Sequence, residues 1–386
     1  MEHVRDMRDI FVDRVQGAST DNMPDEVKLE GYAQFLDSSS VQVGDTVVRA
    51  KSFVIATGTR PIVPSAWKKF GDKILTTDEI FEQENLPESM AIIGLGVIGL
   101  ELGQALSRKG IKVTGVEGSD RIASLTDEVA NDVALQLLRK EFDIWLGEQA
   151  TLEEAGDQIK VTAGEQSVVV DKVLVAIGRK PNLDNLGLDK LDLGLDDNGM
   201  PVFNQNTMQL GDLPIYIAGD VNGTKQILHE AGDEGKIAGY NAAHGSSFSF
   251  KRKTHLGITF SDPNIASIGA DWSELADNEK VVTGEMAMGP VGRALIMGKN
   301  KGIMRIYVDK TNGLLLGATL VSVKGENVAH LLAWAIQTGL TVFDIVKLPF
   351  YHPVIEEALQ ACFYDVLKKL DITSESKILE LEELSE

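Results

Sequence analysis

A chain of 386 residues, 43% hydrophobic and 25% charged, has ordinary globular composition and enough length for two or three domains, each with its own core. A formal net charge of -21 argues against nonspecific nucleic-acid or anionic-membrane binding and directs attention to small molecules held in local pockets. The single cysteine, Cys362, excludes an internal disulfide, and no Cys/His cluster has ligand spacing, so no metal is expected.

The start, "MEHVRDMRDI", alternates charge and has no apolar h-region, so it is no signal peptide. The longest apolar run, Met90 to Leu100, is well short of the roughly 18 residues that span a bilayer. A soluble, cytoplasmic protein with no membrane partner is expected. Residues 1–87 mix a short charged helix with strands. The stretch from Lys28 to Gly58 alternates apolar and polar residues across turn signals, which predicts a meander feeding a buried strand. That strand ends "SFVIATGTRP" (Ser52 to Pro61), and Lys172 to Pro181 repeats the ending as "KVLVAIGRKP". The segment "ENLPES" (Glu84 to Ser89) reads as a linker.

From Ser89 the pattern becomes a strand ("MAIIG"), a helix ("VIGLELGQALSRKG", stopped by Gly110) and a second strand ("IKVTGVEG"), a βαβ unit. A helix, hairpin-like strands and the repeated ending follow, and the block closes near Met208. Leu213 to Gly223 is another buried strand, ending at Gly-Asp, with a helix after it. From about Ser247 strands lead into two apolar helices. Val328, Leu331, Leu332, Ala335 and Ile336 share a face of the first, and Ile355, Leu359, Cys362 and Val366 share a face of the second. Two such helices on an antiparallel sheet suit a dimer-forming domain. The acidic end is expected to fray.

Gly94, Gly96 and Gly99 have G-x-G-x-x-G spacing, directly after an apolar strand and opening a helix. Gly94 allows the tight turn, Gly96 lets a pyrophosphate approach the backbone, and Gly99 lets helix and strand pack closely. The helix N-terminus supplies N–H groups and positive dipole to phosphates. Glu117 ends the next strand, where a carboxylate accepts from both ribose hydroxyls and repels a 2′-phosphate, favouring NAD over NADP. Arg121 nearby softens that preference. The plainer alternative is a glycine-rich turn with a surface glutamate.

With these residues on the page, the chain resembles a family. "IIGLGVIGLELGQAL", "VLVAIGRKPN", "IYIAGDV", "HEAGDEG" and "YHPVIEEAL" occur in the order seen in the class I pyridine-nucleotide disulfide oxidoreductases, and most resemble the dihydrolipoamide dehydrogenases. The resemblance implies an α/β fold of Rossmann-like FAD and NAD domains plus an α+β dimerisation domain, assembled as a homodimer. It divides the chain into an incomplete FAD domain (1–87 and 209–246), an NAD domain (88–208), a dimerisation domain (247–372) and an acidic tail (373–386). By match, Thr57, Gly58, Gly219 and Asp220 belong to the FAD site, Asp220 toward the ribityl chain. Gly178 and Arg179 close the NAD domain, and Glu101 joins the nucleotide contacts. His352 matches the active-site base and Glu357 its orienting carboxylate. Imidazole titrates near neutrality, and a carboxylate on its second nitrogen raises its basicity. Without the resemblance, a lone histidine before a helix reads as a cap or surface residue, as do His3, His229, His244, His255 and His330.

The implied reaction, dihydrolipoamide plus NAD⁺ to lipoamide plus NADH, needs FAD and a Cys-x4-Cys pair, on a lipoyl-type or other small disulfide substrate. The chain has neither the pair nor a second glycine loop. Gly178 follows Gly94 by 84 residues, and the same step back from Gly58 passes Met1. Both missing parts are therefore expected upstream of Met1. This chain by itself is expected to lack disulfide-reductase activity and to hold FAD weakly. A non-catalytic NAD-binding and dimerisation module is an alternative, as is a flavin transhydrogenase or NADH oxidase on the same scaffold.

Overall fold

The computed structural model describes residues 1–197, 199–245, 247–370 and Leu381, so the expected acidic tail lies, Leu381 apart, outside the described residues. Two compact units emerge. The first comprises Met1–Ile62, Thr77–Asn85 and Gly178–Arg252; the second comprises Val63–Thr76, Leu86–Ile177 and the chain from Lys253 on.

In the first unit the charged helix Glu2–Ala18 buries none of its residues. The meander forms as expected: Ala33–Asp37, Ser40–Val43 and Thr46–Arg49 pair antiparallel in that order. The strand Phe53–Ile55 pairs in parallel with Ile215–Ile217. All three residues of Ile215–Ile217 are buried, as read from the sequence. Phe53–Ile55, expected as a buried strand, is buried only in part. Only Ile55 is buried and Val54 is 41% exposed, because this pair is a two-stranded sheet among the described residues. The apolar side of the pair packs with Phe35, Leu210 and Val221. Helix Leu228–His244 follows it.

The two repeated endings lie side by side. Thr59–Pro61 pairs antiparallel with Arg179–Pro181, so the chain from Gly178 to Met208 sits in the first unit, although the sequence reading attached it to the nucleotide block.

In the second unit five parallel strands are ordered Ile74–Leu75, Lys172–Val175, Ser89–Ile93, Lys112–Glu117, Asp143–Leu146. Ser89–Ile93 has neighbours on both sides, which is why an uninterrupted apolar run is tolerated there: Met90, Ala91 and Ile92 are wholly buried. An antiparallel meander, Thr151–Ala155, Gln158–Ala163 and Gln166–Val170, sets Ile159, Val161 and Val170 in one core with Ala91, Ile93 and Val175. The remainder is a five-stranded antiparallel sheet, ordered Leu256–Thr259, Asn264–Gly269, Leu315–Ser322, Ile303–Asp309, Val281–Ala287. Helices Gly325–Thr338 and Glu357–Lys369 bury Val328, Leu332, Ala335, Leu359, Cys362 and Val366 in its core. Leu331, expected on that face, is 42% exposed. Ala329 and Ala333 are buried too, which turns the buried stripe away from it.

The nucleotide-type sheet and the antiparallel sheet are tied by buried charge. Asp127 caps helix Glu128–Leu138 by accepting from the Ala130 N–H. Its other oxygen accepts from Arg305 Nε at 2.7 Å and from the Tyr307 hydroxyl at 2.6 Å. Tyr307 packs against Trp272 with the rings tilted and their centroids 4.8 Å apart, and the Trp272 indole N–H donates to Glu128. Removing one partner of such a pair leaves an uncompensated charge in the interior. Arg305→Ala should therefore lower stability by about 3 kcal/mol. All four tryptophans lie in this unit, so the urea midpoint by tryptophan fluorescence reads the loss directly. An unchanged midpoint would mean that solvent reaches Asp127.

Candidate functional site

The glycine loop follows Ser89–Ile93 and leads into helix Val97–Arg108, whose N-cap is Gly96 with no side chain capping it. Gly94 has φ of +92°, and its N–H donates to Val116 O at 2.8 Å. A Cβ on Gly99 would stand 1.8 Å from Gly94 O, and one on Gly94 would stand 2.4 Å from Ala176 O. These are backbone atoms that cannot swing aside, so the turn, the helix and the end of Lys172–Val175 close on one another only without side chains. A Cβ on Gly96 would meet nothing within 4 Å. The close-packed side of the loop is thus occupied by protein and the Gly96 side is open, as an approaching pyrophosphate requires.

Glu117 ends Lys112–Glu117 beside this loop. Its Oε2 accepts from the Leu95 N–H at 2.7 Å and its Oε1 from the Ser119 N–H at 3.0 Å. Two backbone donors fix the carboxylate next to the loop. Arg121 pairs with Asp120 at 3.4 Å. Glu101, on the helix, accepts from the Phe260 N–H at 2.7 Å, and partial burial raises its pKa. It is engaged by the turn between the strands Leu256–Thr259 and Asn264–Gly269 of the antiparallel sheet. The residues at the loop fit a dinucleotide. Sequence reading missed Ala176, which forms the loop's floor and carries no polar signal.

The flavin-type residues occupy the first unit. The Thr57 hydroxyl donates to Asn182 O at 2.7 Å, and the Asn182 side chain and backbone donate back to Thr57 O and Gly58 O. Arg179 donates through Nε to Thr59 Oγ1 at 2.8 Å and through a terminal nitrogen to Thr59 O at 3.0 Å. Thr59 in turn donates to Asp220 at 3.4 Å. Arg179 and Gly178 thus brace the Thr57–Thr59 turn, whereas the sequence placed them at the nucleotide domain's end. The Gly219 N–H donates to Glu234 Oε2 at 2.8 Å, and the same oxygen accepts from the Asn222 side chain at 2.6 Å. Arg252 neutralises Glu234 at 2.9 Å and Glu230 at 2.6 Å. These two buried glutamates were missed. Their signal was present as acids one helical turn apart in "HEAGDEG". Thr57, Gly58, Gly219 and Asp220 follow the ends of the parallel strands Phe53–Ile55 and Ile215–Ile217. No glycine-rich phosphate loop stands beside their strand pair among the described residues.

His352 Nδ1 lies 2.7 Å from Glu357 Oε1, and Glu357 Oε2 accepts from the Val354 N–H at 3.0 Å. The His352 bond first, and the Val354 N–H second, hold the Glu357 carboxyl below its usual range. The His352–Pro353 bond is cis, and the imidazole is 79% exposed. This is an imidazole braced on one nitrogen and open on the other, the arrangement of a general acid–base group. Cys362 is wholly buried, its thiol donates weakly to Met304 O at 3.5 Å, and burial pushes its pKa well up. Among the described residues no three His, Cys, Asp or Glu side chains converge as a metal site, and no helix is long and apolar enough to cross a membrane.

Residues 4–235 match the family model described as pyridine nucleotide-disulphide oxidoreductase, and residues 256–362 match its dimerisation domain. Dihydrolipoyl dehydrogenase 2 of Haloarcula marismortui is 31% identical over 86% of this chain and 73% of its own length. The dihydrolipoyl dehydrogenase of Bacillus subtilis is 30% identical over 89% and 74%. Mercuric reductase of Staphylococcus aureus is 31% identical over 82% of this chain and 59% of its own length. The Cu(II) complex of the HOCl-induced flavoprotein disulfide reductase RclA from Escherichia coli shares the fold, with a TM-score of 0.82 at 21% identity over 94% of this chain and 84% of that one.

A thiol with this burial is inert. Cys362 should fail to react with Ellman's reagent in the native chain and titrate as one thiol per chain in denaturant. Native reaction at the rate of a free thiol would show that the last helix opens.

Proposed function

The chain belongs to the pyridine nucleotide-disulphide oxidoreductases, a family of flavin-dependent enzymes, and on that premise we propose that it is of dihydrolipoyl dehydrogenase type and takes NAD at the Gly94–Glu117 site. The observation that carries the nucleotide reading is Glu117, held by the Leu95 N–H inside the glycine loop. A fixed carboxylate there accepts from the ribose hydroxyls of NAD and repels the 2′-phosphate of NADP. Bound at this loop, NAD supplies a hydride acceptor. The chain's own residues bind its pyrophosphate over Gly96 and orient its ribose.

His352 is the proton-handling group of this reading, with Glu357 fixing its tautomer through Nδ1 and leaving Nε2 to exchange a proton with a thiol. Thr57, Gly58, Gly219 and Asp220 would hold the ribityl end of FAD, which supplies the two-electron relay of this family. The match to the dimerisation domain supports a homodimer through the C-terminal sheet and its helices. Dithiol exchange needs two reactive sulfurs, and Cys362 is neither paired nor reachable. The share of the reaction assigned to these 386 residues is therefore nucleotide binding and proton handling. The single buried thiol also favours a second reading, an NAD-binding and dimerisation module without disulfide chemistry.

Calorimetric titration of the full chain should show NAD binding more tightly than NADP. Glu117→Ala should weaken NAD by about tenfold or more, tenfold being the scale of a single lost charge-assisted hydrogen bond, and narrow the gap to NADP. Unchanged NAD affinity would sink the ribose assignment. Flavin released from the purified chain and counted by its visible spectrum separates the two readings: stoichiometric FAD supports the oxidoreductase, and its absence supports the module.

A further inference from the structure

The glycine loop is clamped from outside, and the clamp leads to a residue with no place in the reading above. The Leu95 peptide is held on both sides. Its N–H donates to Glu117, and its C=O accepts from the Ala123 N–H at 2.8 Å. Both holders belong to residues 117–124, the segment that runs past the ribose side of the site. That segment is strained: Ala123 and Ser124, neither of them glycine, have φ of +51° and +57°. Consecutive left-handed residues persist only where neighbours over-determine them.

Asn131 is that neighbour. It sits in helix Glu128–Leu138, 5% exposed, with its amide turned back to the segment. Its Oδ1 accepts from the Ile122 N–H at 3.1 Å and its Nδ2 donates to Asp120 O at 3.3 Å. The orientation is unambiguous, because an N–H can only donate and a carbonyl can only accept. One planar amide therefore fixes two peptides, one on each side of Arg121 and just before the strained pair. Ser119 adds the local turn, its hydroxyl bridging Arg121 O and Arg121 N.

We propose that Asn131 is a positioning residue of the nucleotide site: by holding residues 120–122 it fixes Ala123 on Leu95 and Glu117 beside it, and so sets both affinity for NAD and its selection over NADP. This rests on the assignment of NAD to the Gly94–Glu117 site. Asn131 touches no ligand and acts through the Leu95 peptide and the Glu117 carboxylate.

Asn131→Leu keeps the shape and removes both hydrogen bonds; Asn131→Asp keeps the acceptor for Ile122 and loses the donor to Asp120. In the full chain, titrated with NAD and NADP, Asn131→Leu should weaken NAD by about tenfold and shrink the NADP-to-NAD ratio of dissociation constants by several-fold, with Asn131→Asp between it and the unaltered chain. A merely structural role would weaken both nucleotides alike and leave the ratio unmoved, and that result overturns the inference. Should Asn131→Leu fail to fold by circular dichroism, the ratio for Asn131→Asp decides in the same way. If the unaltered chain binds no NAD, the assignment of NAD and this inference fall together. If it binds NAD and the ratio is unmoved in the variants, only the role of Asn131 falls.

Discussion

The carbonyl oxygen of Gly94 occupies the space in which a side chain on Gly99 would begin. Helix Val97–Arg108 can start where it does only because of that contact, and the open face of Gly96 exists because the opposite face is closed so tightly. An alanine at Gly99 would push the helix off the strand end and carry its N-terminal N–H groups with it. Phosphate binding by a helix N-terminus depends on where those few donors point. The steric contact between two glycines thus does electrostatic work at the mouth of the site.

That geometry is reinforced outward in steps. Glu117 and Ala123 grip Leu95, Asn131 grips the segment that carries Ala123, and Asp127 caps the helix that carries Asn131. Asp127 is in turn held by Arg305 and Tyr307 of the antiparallel sheet. A second tie joins the same two layers, where Arg108 bridges Glu141 and Asp262 and Gln104 exchanges hydrogen bonds with the Asp262 backbone. The first tie is a buried ion pair and the second is half exposed; buried pairs such as Asp127–Arg305 contribute little net stability against an apolar replacement, yet are costly to break singly. What they supply here is register: each fixes one element against a definite partner atom.

The steps of this chain differ in how visible they were from sequence. The glycine loop was legible because its parts are local: an apolar strand, three glycines at fixed spacing and a helix pattern, all within residues 89–108. Glu117 was legible by its place at the next strand's end. Asp127 with Arg305 was not, since 178 residues separate them and neither stands in a motif. Nor was Asn131, which reads as an ordinary polar residue in a helix. The repeat of Ser52–Pro61 in Lys172–Pro181 was visible, but not that the two endings pair with each other, because register between distant strands leaves no mark in either one. Leu331 and Val54 failed differently. Periodicity ranks a residue's face but does not tell how wide the covering layer is, and both lie at an edge of cover. The pairing of His352 with Glu357 was expected only through resemblance, and the two side chains do stand 2.7 Å apart.

The His352–Glu357 pair and the lone thiol stand in opposite environments. His352 stands in solvent, braced on one nitrogen by a carboxylate whose ionised form is favoured by two hydrogen bonds. That bracing persists at neutral pH and is lost only as pH falls through the lowered carboxylate pKa. Cys362 stands five residues beyond Glu357, one helical turn further along and inside the core, where burial disfavours the thiolate that any sulfur exchange requires. Proximity in sequence therefore carries no chemistry between them: the helix that presents Glu357 to His352 at its first turn turns Cys362 inward at its second. Any thiol that reaches the exposed imidazole of His352 therefore arrives from the solvent side, and not from this helix.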